Sequence, residues 1–217
     1  IAALEKARRL DSADSKIYLL LANAYKDLEH YSNAVVCLER ALELDSNQVD
    51  AYLILSDIAI LTGDIREALV WLSKYPESGS RFQDALMLMG DLKIEMGDTA
   101  GGLAVFRQCT QKSIQRMDAW LKLIELLCNR GAVYTAILES QRAIELNPSF
   151  SALAIVAGKK SFENGYYDKA EDFFRLAYNN GEPDGAVGLS NLLKVYEHYN
   201  DSQGIKRVKT FIDNRKK

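Results

Sequence analysis

Apolar residues recur along this chain every three or four places, in runs of about a dozen, and each run stops at a glycine or a polar break. Between Val49 and Leu61, for example, Tyr52, Leu55 and Ala59 fall on one face of a helix. Gly63 follows, where glycine ends the helix by taking the left-handed backbone at little cost. Asp64 then stands where a side chain caps the next helix, which carries Ala68 and Leu72 inward. The pattern predicts two antiparallel helices joined by a tight turn. One such hairpin cannot bury its apolar faces alone, so it has to stack on neighbours.

The hairpin repeats. The segment Ala41 to Ser46 (ALELDS) aligns with Ala143 to Pro148 (AIELNP), 102 residues or three times 34 further on. Steps of 34 bring Ala34, Ala68, Gly102, Ala136, Ala170 and Gly204 into one row of small residues. The same step aligns Gly63, Gly97, Gly131 and Gly165. A small side chain in the first row lets the two helices cross closely. Six units of this period run without insertion: Ser15–Gln48, Val49–Phe82, Gln83–Arg116, Met117–Phe150, Ser151–Asp184 and Gly185–Lys217. The last is one residue short, and residues 1–14 supply the second helix of a preceding, truncated unit. Because the chain opens at Ile1 in mid-pattern, it reads as a piece of a longer protein.

The period and its residues resemble the tetratricopeptide repeat family, over essentially the whole chain. The early aromatic of the first helix appears as Tyr18, Tyr52 and Trp120, and the later tyrosine as Tyr25. The small row is followed by a bulky apolar residue at Leu38, Leu72, Phe106 and Phe174, and the closing proline appears once, as Pro148. Leu86, Ala154 and Gly188 depart from the aromatic place, and Ser140 from the bulky one. The resemblance implies an all-α fold, a right-handed α-solenoid or superhelix of antiparallel helical hairpins, with residues 15–217 forming one continuous domain. It implies a function only as broad as binding another protein.

In that family the first helices line a concave groove. The place after the aromatic holds Leu19, Leu53, Met87, Leu121 and Ile155, an apolar ladder. One turn on stand Asn23, Asp57, Asp91, Glu125 and Lys159. Near the helix start, Asp50, Asp84 and Asp118 form a second acidic row. These rows predict a peptide partner with apolar anchors beside lysine or arginine. Each has a plainer reading too. The ladder also fits core packing between units. The acids at the helix start also complement the positive helix end, and the mid-helix acids also fit a solvated face. Chaperone-binding members grip a carboxylate with two lysines, two asparagines and an arginine. The matching places here hold Leu19, Asn23, Ile54, Asp84 and Leu88, which disfavours that clamp.

Composition narrows the picture further. A formal net charge of −3, without a concentrated basic face, gives no expectation of nucleic acid. No apolar run reaches membrane-span length. Cys37, Cys109 and Cys128 are scattered and only two histidines exist, so neither a metal site, a cofactor nor a disulfide framework is expected. Their reduced state suits a cytoplasmic setting. No nucleophile with a base and no phosphate loop is visible, and the chain is expected not to be an enzyme. Two functions stand: a scaffold or adaptor binding a partner segment in its groove, or a regulatory or targeting arm of a larger enzyme or secretion machine. Self-association through Leu4 and Ala7 is a third. Lys206, Arg207, Lys209, Arg215, Lys216 and Lys217 make the final helix basic. It reads as a solvating cap or as a dock for an acidic partner or an anionic membrane.

Overall fold

The computed structural model describes residues 1–215; Lys216, Lys217 and the side chain of Arg215, three of the basic groups expected at the end of the chain, lie outside the described residues. Thirteen α-helices run through those residues: α1 Ala2–Leu10, α2 Ser15–Asp27, α3 Tyr31–Leu44, α4 Val49–Leu61, α5 Ile65–Lys74, α6 Phe82–Glu95, α7 Thr99–Lys112, α8 Met117–Asn129, α9 Val133–Leu146, α10 Ser151–Glu163, α11 Tyr167–Asn179, α12 Pro183–His198 and α13 Ser202–Arg215. A single 3-10 turn, Pro148–Phe150, precedes α10. The fold is an all-helical repeat of antiparallel hairpins. It divides into two compact units, residues 1–105 and 106–217.

Local chemistry makes the turns. After α4, Gly63 takes φ 83°, and the Asp64 carboxylate accepts the Glu67 N–H at 3.0 Å, satisfying a donor that the helix leaves open. Asp98 does the same for Gly101 at 2.8 Å. That bond, and Lys93 at 3.3 Å, hold its carboxyl below the ordinary value of 3.8. Before α10, Asn147 accepts the Ser149 N–H at 3.1 Å and so opens the turn that contains Pro148.

The small row lies where the helices cross. Ala34, Ala68 and Ala170 are fully buried, as are Leu38 and Phe106 of the bulky row. The first unit holds one cluster around Leu21, Leu38 and Leu55 and another around Leu72, Ala85 and Leu92. Leu4 packs on the first of these. Leu4 and Ala7 are half-buried, and Leu10 is the exposed large apolar residue of α1.

The unbroken 34-residue period fails once. First helices end at Asp27, Leu61, Glu95, Asn129 and Glu163 in steps of 34, and the next ends at His198, 35 on. The extra residue sits in α12. Ala154, Ala157 and Ser161 of α10 are buried, and their counterparts are Leu189, Leu192 and Tyr196, each 35 further along. Asn191, which the 34-residue frame puts inside, is exposed. Gly188 is buried too, because the Phe174 ring lies against it: a Cβ there would stand 2.4 Å from that ring.

Candidate functional site

The five ladder residues do not share one environment. Leu53 and Met87 are 7% and 8% exposed, and Ile155 is 9% exposed. Leu19 is half-buried against the Leu21 cluster, and Leu121 is half-buried as well. Leu53, Met87 and Ile155 are therefore core, Leu53 within the cluster around Leu72. Little of the ladder is left to touch a partner.

The polar row is different. Asn23 is half-buried and returns its amide to the Leu19 carbonyl at 3.2 Å. The Asp57 side chain is 49% exposed and meets Lys26 at 3.5 Å across α2 and α4. That contact places the outer sides of both helices on one surface. Asp91 holds the same place on α6 and is half-buried. In the second unit Glu125 is exposed. Lys159 joins Asp184 at 2.8 Å on the rim of a slot of about 140 Å³ between α10 and α12, with Phe174 and Gly188 among its lining residues.

Of the acids near helix starts, Asp84 lies 3.5 Å from Arg81. Asp118 is gripped by Arg116 at 3.0 Å, which lowers its pKa. At these two places the carboxylate is paired with an arginine just before its own helix. Sequence reasoning passed over Lys26, one turn beyond Asn23, and Asp184. Extending the row by one further turn would have found the first.

The cysteines offer little chemistry. Cys37 and Cys109 are buried, and burial raises the pKa of the Cys37 and Cys128 thiols, which disfavours the reactive thiolate. Among the described residues no group of His, Cys, Asp and Glu is placed to hold a metal ion. No helix among them is long and apolar enough to cross a membrane.

A family model described as tetratricopeptide repeat matches residues 15–48, the α2–α3 hairpin. No curated protein matches the chain. Among solved structures, YrrB, described as a tetratricopeptide repeat protein with an unusual peptide-binding site, is 20% identical. The match covers 87% of this chain and 97% of that one, with a TM-score of 0.57. MamA is 19% identical over 79% of this chain and 93% of its own, also at 0.57. PilF of Pseudomonas aeruginosa is 18% identical over 91% and 89%, at 0.51. At these identities the likeness is one of fold.

Proposed function

We propose that this tetratricopeptide repeat protein is a non-catalytic scaffold that binds a basic segment of a partner protein along the outer sides of its first helices. The observation that carries the reading is the Lys26–Asp57 pair between α2 and α4. A half-exposed carboxylate there already accepts an ammonium group, in a bond weak enough to be exchanged, since surface pairs are worth about 0–1 kcal/mol. Asp91 holds the same place one unit on, and Asn23 one unit back. Half-buried Leu19 gives the partner an apolar edge. The partner segment is thus expected to carry lysine or arginine beside modest apolar side chains, with charge setting specificity more than raw affinity.

Selection from a random peptide display library tests this, followed by titration of the enriched peptides against the wild type and against a variant carrying Asp57→Lys and Asp91→Lys. Enrichment in lysine and arginine, with affinity lowered by roughly tenfold or more in the variant, is expected. Peptides without basic residues that bind both proteins equally would sink the reading.

A further inference from the structure

In the second unit, the second helices α11 and α13 leave a cleft of about 550 Å³ between them. Arg175 lines it from α11, and Lys206, Arg207 and Phe211 from α13, together with three neutral hydrogen-bonding side chains. None of the lining residues is acidic.

Two of the three cations are held in place before any ligand arrives. The Arg175 guanidinium lies over the Phe211 ring at 4.8 Å, donates to the Arg207 carbonyl at 3.0 Å and pairs with Glu171 at 2.7 Å. Arg207 is fixed by Glu171 at 3.2 Å and by Asp168 at 3.1 Å. Glu171 is buried, and Asp168 lies outside the lining. Lys206 is exposed. Three cations against those two acids leave a positive excess beside an aromatic floor.

We propose that this cleft docks an acidic segment of a partner protein, anchored by one apolar side chain. That side chain rests beside Phe211 and the stem of Arg175, while aspartate or glutamate next to it meets Lys206. Fixing the arginines in advance removes part of the ordering cost of binding. The preference is opposite in charge to that of the first-helix row and lies on different helices, so it stands or falls separately. A bilayer suits the cleft less well. Interfacial binding relies on apolar groups that reach outward, whereas Phe211 is half-buried.

The test is fluorescence anisotropy of a labelled peptide alternating glutamate with phenylalanine and leucine, titrated with the whole chain. A matched peptide carrying lysine for glutamate serves as control. The acidic peptide is expected to bind and to weaken as salt rises to about 0.2 M, since charges are then screened within roughly 10 Å. Lys206→Glu and Gln203→Glu, both at exposed positions, are each expected to lower affinity by about tenfold, while Lys194→Glu on α12 leaves it unchanged. Circular dichroism melting establishes that all three variants fold. Equal binding of the two peptides, or full affinity in both cleft variants, would overturn the proposal. So would vesicles of phosphatidylserine and phosphatidylcholine that sediment the protein when the acidic peptide does not bind.

Discussion

Four of the six turns between first and second helices close on a glycine with φ between 74° and 84°, at Gly63, Gly97, Gly131 and Gly165. The other two close on Glu29 at φ 60° and Asn200 at φ 54°. Asparagine tolerates that region, but a glutamate gains nothing there, and its Cβ costs about 1–2 kcal/mol. Glu29→Gly is therefore expected to stabilise the protein by roughly 1 kcal/mol despite the added freedom of the unfolded chain. Urea denaturation followed by circular dichroism measures it, and a lower midpoint would refute the assignment of strain. Residue identity was a good guide at such turns because glycine has few other reasons to recur. It was a poor guide to depth. Leu19 and Leu53 occupy the same place, yet one is half-buried and the other 7% exposed. Periodicity gives the direction of a side chain but not how closely the next helix approaches it.

Helices α11, α12 and α13 are bound by more than apolar contact. Glu171 is buried and accepts from Tyr196 at 3.1 Å while meeting Arg175 at 2.7 Å and Arg207 at 3.2 Å. Burial, and then the charge of Glu171, push the Tyr196 phenol above its usual pKa, and the bond to Glu171 holds Arg207 charged. Removing the carboxylate leaves two guanidinium groups facing each other beside an unpaired hydroxyl. Because Arg175 and Arg207 are 29% and 42% exposed, water compensates part of the loss, and Glu171→Ala is expected to cost about 1–3 kcal/mol by equilibrium denaturation. A loss under roughly 1 kcal/mol would show that water replaces the carboxylate. The cluster was not legible beforehand. Tyr196 and Arg207 lie 25 and 36 residues from Glu171, and a glutamate in an amphipathic helix reads as surface until the register of its neighbours is known. The extra residue in α12 hid that register by moving Tyr196 into the place where the period put Val195.

At the scale of the chain, helix pairing and period were readable because every hairpin repeats the same instruction. The division into two units was not, since Val105 and Phe106 are neighbours on α7 and nothing in their identity marks a boundary. Contacts in each unit run mainly between successive helices, so stability is close to a sum of local terms and openings start where neighbours are fewest. None of the residues of α1 is fully buried. Its amides are expected to exchange with deuterium first, well ahead of α3 and α4, when followed by mass spectrometry. Equal protection of α1 and α4 would contradict nearest-neighbour stacking in the first unit.

The lengthened α12 also bears on how this protein can be recombined with others. One residue turns a helix by about 100°, and α13 begins 35 residues after α11, yet its buried Gly204 and Val208 lie 34 residues after Ala170 and Phe174. The surplus is opened and closed inside one hairpin, which makes that hairpin a part with its own gauge. A chimera spliced by counting in steps of 34 would seat Gly188 in the socket that Leu189 fills and turn Leu192 away from the core. The joint has to be cut in the loop after α11 and again beyond α13, so that the odd-sized piece travels whole.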